Sequence, residues 1–386
     1  MLAGLNAALL LLGLPAPVAS TELPMLHGML MVLGFLGALI SLERAVALRA
    51  AWGYLAPGLL GAGGLALLSP APAIAGQLLL VNGAVVLCVV YSQLWRRTRD
   101  NTVLIQLLGA LLAALAAALW VQVQIVDLVA LLAGFIVLTI AAERLELARI
   151  SLPRRAEPIV MALAATLVIS ALGTIVFPAA GPQLFGLMLV ALAGYLGWHD
   201  VARRMIRSTG LPRFAAAAML AGYVWLMLAG LAWIVGGPTV VPGWYDLVVH
   251  GIFLGFGMSM VMAHAPVILP AVLKIKLPYH PVLWVPLTVL HTGMVVRVAG
   301  MGTDEVTVWQ IGGAMTVASL VLLALSALTL AIGANRKGAA RNTTEPVRRA
   351  SVPADRPEAG SSGDDAIPAG GERVPIVYGP TTEVTS

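Results

Sequence analysis

The sequence predicts an all-α integral membrane protein with twelve transmembrane helices, and three observations support this fold class. Of the 386 residues, 60% are apolar and 11% are charged, and the mean hydropathy is +0.93. This composition is too apolar for a soluble domain and is typical of a protein that crosses the membrane many times. In addition, three segments of the chain repeat one another, and almost all basic residues follow every second apolar segment.

A membrane-spanning helix needs about 20 mostly apolar residues. The first predicted span resembles a signal peptide around residues 16–19, but it has no positively charged start, so we expect it to be a true span. The predicted spans lie at about residues 2–18, 24–43, 53–69, 73–95, 102–121, 127–147, 157–177, 182–202, 213–235, 245–270, 280–301 and 307–333. Residues 1–335 are therefore predicted to form one transmembrane domain.

The internal repeat has a unit of four helices. HGMLMVLGFLGALISLERAVAL, from His27, and DLVALLAGFIVLTIAAERLELA, from Asp127, share Gly-Phe and Glu-Arg pairs at matching positions. HGIFLGFGMSMVMAHAPVIL, from His250, shares the His-Gly start and a Gly-Phe pair but lacks Glu-Arg. Because these segments fall on predicted helices 2, 6 and 10, the sequence predicts three four-helix pseudo-repeats.

The basic residues predict the orientation. Of 23 Lys and Arg residues, all except Arg297 fall on one side of the twelve predicted spans or in the tail. Basic residues accumulate on the cytoplasmic side, so both termini are predicted to be cytoplasmic, in a bacterial plasma membrane. The tail, residues 336–386, is rich in Pro, Gly, Ser, Thr and charge, and we expect it to be disordered.

His27 and His250 are the strongest candidates for a cofactor site. They occupy equivalent places in the repeat, lie at similar depth in the predicted outer leaflet, and are each followed by Gly. Neutral imidazoles from two helices can bind a haem iron from both sides. The alternative is that each ring only hydrogen-bonds a carbonyl group or a lipid headgroup.

Arg297, His264 and His291 are the other candidates. Arg297 lies near the outer end of span 11, where it reaches either outward to Asp304 or Glu305 or holds an anionic group such as a haem propionate. His264 lies near the inner ends of the helices at a depth comparable to Glu43 and Glu143. A His–Glu cluster there relays protons, binds a metal, or only links helix ends.

His291 lies in the middle of span 11, where an ionisable group needs a partner. That partner is His264, a cofactor edge or a second metal. The metal-ligand candidates are therefore His27, His250, His264 and His291.

Twelve spans in three four-helix arcs, with histidines on helices 2 and 10 and an arginine on helix 11, resemble subunit I of the haem-copper oxidases. The resemblance implies a low-spin haem held by His27 and His250, with Arg297 on a propionate. This chain has no histidine on helices 6 and 7, where that family binds copper, so a binuclear oxygen-reducing centre is not expected.

The chain is also similar to the NnrS family of haem- and copper-containing membrane proteins, which is linked to nitric oxide stress. HGMLMVLGF, residues 27–35, resembles the start of that family's motif. The resemblance implies a b-type haem, with copper as a second metal, and a role in electron transfer or in nitric oxide or copper-linked redox handling. The protein would then be a component of a membrane oxidoreductase and receive electrons from quinol or a separate redox protein.

Two other functions remain open from the sequence. One is a proton- or ion-coupled transporter in which Glu43, Glu143 and His264 form the coupling site. The other is a structural or assembly factor without a cofactor. All three functions place the protein in the lipid bilayer, and the redox function adds haem as a partner. The positive net charge reflects membrane topology, so no nucleic-acid partner is expected.

Overall fold

A computed structural model of the protein describes residues 1–148, 155–237, 242–273 and 278–344. All regular structure in this part of the chain is helical. The helices are α1 (Leu2–Leu11), α2 (Leu23–Leu48), α3 (Ala51–Leu67), α4 (Ala73–Thr98), α5 (Asn101–Leu119), α6 (Ile125–Ala148), α7 (Ala156–Val176), α8 (Gly181–His199), α9 (Gly210–Gly236), α10 (242–273), α11 (Pro281–Gly302) and α12 (Val306–Thr344). One further helical turn, Ala202–Met205, lies between α8 and α9.

The described residues contain ten helices that are long and apolar enough to cross a membrane, so the protein is an all-helical integral membrane protein. The other two, α1 and α3, are shorter apolar helices. The expectation that residues 2–18 form one span is wrong in length, because α1 ends at Leu11. The last helix extends to Thr344, past the predicted boundary at residue 335, and the rest of the predicted tail lies outside the described residues.

Gly13 explains the early end of α1. Its backbone has a φ of +68°, a left-handed conformation that glycine adopts without steric penalty. The Gly13 N–H donates to the Leu10 carbonyl and the Leu14 N–H donates to the Leu9 carbonyl, each at 3.0 Å. This pair of hydrogen bonds is the Schellman arrangement that terminates a helix. The segment LLLLGLP therefore carries a stop signal that hydropathy alone does not detect.

Helix α6 is the central helix of the bundle. In its most apolar stretch 83% of residues are buried against protein, compared with 17% in α12. Its neighbours in the chain, α5 and α7, both pack against it, and Gly109 of α5 lies close to the Phe135 backbone of α6. Small residues allow such close helix approach in membrane proteins. The second segment of the sequence repeat is therefore the one buried deepest in the fold.

Two helices contain π-helical segments, and both segments follow a candidate histidine. Val32–Gly37 interrupts α2 after His27, and Gly251–Met258 interrupts α10 immediately after His250. Each segment includes one of the repeated Gly-Phe pairs. The third Gly-Phe pair, in α6, lies in regular α-helix. Since π segments within α-helices occur frequently at functional sites, they single out α2 and α10 among the three repeated segments.

Gly255, in the π segment of α10, is expected to be intolerant of a side chain. A β-carbon there would lie 2.4 Å from Cγ of Trp225 on α9, whereas a β-carbon at Gly58 of α3 would meet nothing within 4 Å. Gly255→Ala should therefore destabilise the fold by about 1–3 kcal/mol through overpacking. Gly58→Ala should be neutral or stabilising, because alanine is favoured over glycine in a helix. Thermal unfolding of both variants in detergent checks this, and equal melting temperatures would contradict it.

Candidate functional site

His27, His250 and Arg297 line one cavity of about 720 Å³, formed by α1, α2, α10, α11 and their neighbours. The cavity wall is mainly apolar, with Met31, Val249 and Phe253 among its side chains. This volume is in the range of sites that take up cofactors and drug-sized ligands. The end of the bundle that holds this space is called here the histidine end, and the space the histidine cavity.

The two cavity histidines both bond a backbone carbonyl through Nδ1, and His250 Nδ1 also lies 3.2 Å from Asp246 Oδ1. The Nδ1–H of His27 donates to the Gly4 carbonyl of α1 at 2.8 Å, and the Nδ1–H of His250 donates to the Asp246 carbonyl at 3.0 Å. Because a carbonyl only accepts, both rings carry their proton on Nδ1 when neutral. Neither Nε2 has a hydrogen-bond partner among the described residues. A neutral imidazole fixed through Nδ1 with Nε2 unprotonated is the state in which histidine binds a metal.

Arg297 does not reach out to Asp304 or Glu305; it pairs with Asp246 of α10. Its Nε donates to Asp246 Oδ2 at 2.7 Å and its Nη2 donates to Asp246 Oδ1 at 2.6 Å. The guanidinium also lies over the Trp309 ring, 5.1 Å from its centroid. Arg297 is 7% exposed, and a buried arginine with a two-point carboxylate partner is electrically balanced.

Asp246 was not among the predicted site residues. Its backbone carbonyl accepts from His250, and its carboxylate binds Arg297 and lies 3.2 Å from His250 Nδ1, so one residue connects the predicted ligand to the predicted arginine. The signal that identifies it is the spacing to His250, four residues along one helix, which puts both side chains on the same face.

His291 is held by hydrogen bonds on both ring nitrogens. Trp225 Nε1–H donates to Nδ1 at 3.0 Å, so Nε2 carries the proton and donates to Ser259 Oγ at 3.3 Å. The Ser259 hydroxyl in turn donates to the Gly255 carbonyl of the π segment at 2.6 Å. The ring therefore joins α9, α10 and α11 and leaves no free nitrogen. Metal binding by His291 stays a prediction that this geometry does not favour.

The opposite end of the bundle, called here the arginine-rich end, contains a second buried polar group. Arg144 Nε and Nη2 donate to Asp200 Oδ2 and Oδ1 at 2.9 and 3.0 Å, and the Tyr223 hydroxyl donates to Asp200 Oδ2 at 2.7 Å. Arg144 Nη1 donates to His264 Nε2 at 3.1 Å, while the His264 Nδ1–H donates to the Met260 carbonyl. Arg144, Asp200, Tyr223 and His264 form what is called here the Asp200 network.

Asp200 follows the end of α8 and lies outside the membrane-spanning segments. Burial alone would raise the pKa of its carboxyl group. The hydrogen bonds and charge of Arg144, together with the N–H of Ala202 and the Tyr223 hydroxyl, outweigh burial and lower that pKa below its ordinary value. Asp200 is therefore an ionised carboxylate whose charge is matched by Arg144.

His264 was predicted to lie near Glu43 and Glu143, and the hydrogen bonds give a different partner. Its ring bonds Arg144, whereas Glu43 and Glu143 meet at Arg44: the Arg44 guanidinium donates to Glu43, and Arg44 Nη2 lies 3.6 Å from Glu143 Oε1. The two Glu-Arg pairs of the repeat therefore contact each other across α2 and α6. Metal binding by His264 stays a prediction, and both of its ring nitrogens are engaged in hydrogen bonds.

Comparison with known families gives one match. Residues 1–332 match a protein family described as a domain of unknown function, DUF8744. The chain belongs to the DUF8744 family. No curated protein and no solved structure matches it. The matched region includes every residue of the histidine cavity and of the Asp200 network, so both sites lie within the family domain.

In this DUF8744 protein the described residues contain no group of three or more His, Cys, Asp or Glu side chains arranged to hold a metal ion. The histidine cavity instead offers two imidazoles with free Nε2 atoms. Two axial ligands are what an iron needs when four further ligands come from a porphyrin ring. A haem, whose porphyrin supplies the other ligands, would need only these two imidazoles from the protein.

Proposed function

We propose that this DUF8744 protein binds one b-type haem in the histidine cavity, with His27 and His250 as axial ligands, and that it transfers electrons in a membrane redox process. The observation that carries the proposal is the shared state of the two histidines: both line one cavity, both are fixed through Nδ1, and both keep Nε2 free. Of the four histidines within helices α2, α10 and α11, the other two have both nitrogens engaged.

The residues around the proposed haem have distinct roles. Gly4 and Asp246 orient the two imidazoles through their backbone carbonyls, and Arg297 supplies a positive charge at the cavity wall for a propionate group. In this structure Asp246 neutralises Arg297, so a propionate would share the guanidinium, whose Nη1 is not used by Asp246. The haem, when bound, supplies the one-electron chemistry, and the apolar wall keeps water away from it.

We also propose a membrane topology for this protein and a similarity to two known families. The ten long and two shorter apolar helices are consistent with twelve spans in three four-helix pseudo-repeats, with the arginine-rich end and both termini in the cytoplasm of a bacterium. Such a protein would be similar to subunit I of the haem-copper oxidases in architecture and to the NnrS family in its redox role. Electrons would come from quinol or a separate redox protein, and copper is a second metal to test.

The test is a spectrum of the purified protein. We expect protein expressed with ample haem and purified in mild detergent to show sharp α and Soret bands of six-coordinate b-type haem in the dithionite-reduced minus oxidised spectrum. Metal analysis of the same sample should give iron at about one equivalent, and it measures copper directly. A colourless protein from haem-supplied cells would overturn the proposal.

The second candidate function is proton- or ion-coupled transport, and one observation favours it. The arginine-rich end brings Glu43, Arg44 and Glu143 together beside the Asp200 network, so several ionisable side chains meet within helices. Intramembrane clusters of this kind are typical of transport pathways. Flux measured in liposomes separates the two functions: a transporter gives flux without pigment, and its flux depends on the glutamates and not on His27.

A further inference from the structure

Glu43 of α2 and Glu143 of α6 meet on a single positive charge. The Arg44 guanidinium donates a hydrogen bond to Glu43 and lies 3.6 Å from Glu143 Oε1. All three side chains are largely covered by protein: Arg44 is 13% exposed, Glu43 25% and Glu143 18%. The two carboxylates are thus held near each other by one guanidinium, in a space walled by helices.

The other positive charges near this cluster have partners of their own. From α6, Arg144 is already bound by Asp200 and by His264, which comes from α10. From α4, Arg97 donates to the backbone carbonyl of Leu48 at 2.7 Å.

Two further groups face the cluster, and neither supplies a positive charge. Tyr91 of α4 is fully buried, and its phenol is uncharged at neutral pH. Glu146 of α6 is exposed and adds a negative charge. Arg44 is therefore the cation that faces both carboxylates among the described residues.

With both glutamates ionised, the cluster has two negative charges and one positive charge, and the Asp200 network beside it is neutral within itself. An uncompensated charge in a space of low dielectric constant is costly, and a like charge nearby disfavours ionisation of a second carboxylate. We propose that Glu43 and Glu143 hold one proton between them and that this pair is a proton-binding site at the arginine-rich end.

This site is independent of the haem proposal. It would take up a proton from the aqueous side, because both glutamates lie one to two helical turns from the arginine-rich ends of α2 and α6. Arg44 faces both carboxylates, so it can pair with the ionised one whichever glutamate holds the proton. Each helix contributes one carboxylate because the Glu-Arg pair occurs at the same position in both repeated segments.

Infrared difference spectroscopy in water and D₂O tests the site directly. We expect the wild-type protein at neutral pH to show the C=O stretch of a protonated carboxylic acid, and both Glu43→Gln and Glu143→Gln to remove it. The matched control is Glu157→Gln, at a half-buried glutamate on α7 that accepts a hydrogen bond from Asn101, and it should retain the band. A wild-type spectrum without the band, or a band that survives in both single variants, would overturn the proposal.

The direction in which the melting temperature changes is an independent test of the shared proton. Each single Glu-to-Gln change keeps the shape of the protonated residue, so the melting temperature should stay the same or rise. The double variant Glu43→Gln/Glu143→Gln leaves Arg44 without an anion, and its melting temperature should fall. A fall in both single variants would contradict a shared proton. The haem spectrum of every variant is recorded in parallel, so a failure of this inference is distinct from a failure of haem binding.

Discussion

Replacement of His250 by alanine is expected to abolish the six-coordinate haem spectrum, and His27→Ala should do the same. Each substitution removes one of the two axial ligands that the histidine cavity offers, and the remaining imidazole alone gives a five-coordinate haem or an empty cavity. Loss of only an orienting partner of a metal ligand costs about 10–100-fold in affinity, so loss of the ligand itself should cost at least that much. Haem content per protein and the reduced spectrum are the measurements.

His199→Ala is the matched control for His250→Ala. The His199 ring also has Nδ1 bonded to the carbonyl four residues earlier, that of Tyr195 at 2.9 Å, but it lies at the end of α8 and outside the histidine cavity. We expect this variant to keep the full spectrum. In addition, imidazole in the buffer should restore a six-coordinate spectrum to His250→Gly by occupying the vacated space. Equal haem loss in His199→Ala and His250→Ala would reject the assignment of ligands.

The second large effect is expected at Asp200. Asp200→Asn leaves Arg144 as a buried cation without a carboxylate, and removal of one partner of a buried ion pair typically costs about 3–5 kcal/mol. Tyr223 loses its carboxylate acceptor at the same time, and Arg144, which bonds His264, loses its counterion. We therefore expect a large fall in melting temperature in detergent. An Asp304→Asn variant, at an exposed aspartate, should unfold close to the wild-type temperature.

The difference in melting temperature between the wild type and Asp200→Asn should depend on pH in one direction. The pKa of Asp200 is lowered in the folded protein, so its contribution to stability is present above the unfolded-state pKa of about 4 and is lost as the pH falls through the folded-state value. The gap in melting temperature between wild type and Asp200→Asn should therefore be constant near neutral pH and shrink below about pH 4. A gap that widened on acidification would contradict the ionised pair.

The sequence predicted the helical membrane fold and singled out three side chains that line the histidine cavity, His27, His250 and Arg297, for a physical reason. Apolar length and the one-sided distribution of arginines are determined by the bilayer, so they can be interpreted without tertiary information. The depth of His27 and His250 along their helices follows in the same way from the rise per residue. Their occurrence in one cavity is consistent with the prediction that they face a common centre.

Partners across helices could not be predicted in the same way. The Arg297–Asp246 pair and the Arg144–His264 contact depend on the rotation of each helix about its own axis, which hydropathy does not determine. The end of α1 at Leu11 depends on a local glycine conformation within an apolar run. For the two side-chain contacts, depth along the membrane was predicted and angular position was not.

The π-helical segments of α2 and α10 explain part of that difference and have a broader consequence. A π turn contains more residues than an α turn, so it changes the face on which every later side chain lies. His27 precedes the segment of α2 and Glu43 follows it; His250 and His264 stand in the same relation in α10. In each of these two helices, the side chains before the π segment and those after it therefore lie on faces that are rotated relative to each other. Substitutions around the cavity can occur during evolution without rotating the charged side chains at the other end of the helix. One inserted or deleted residue within a π segment would instead rotate one end of the helix relative to the other.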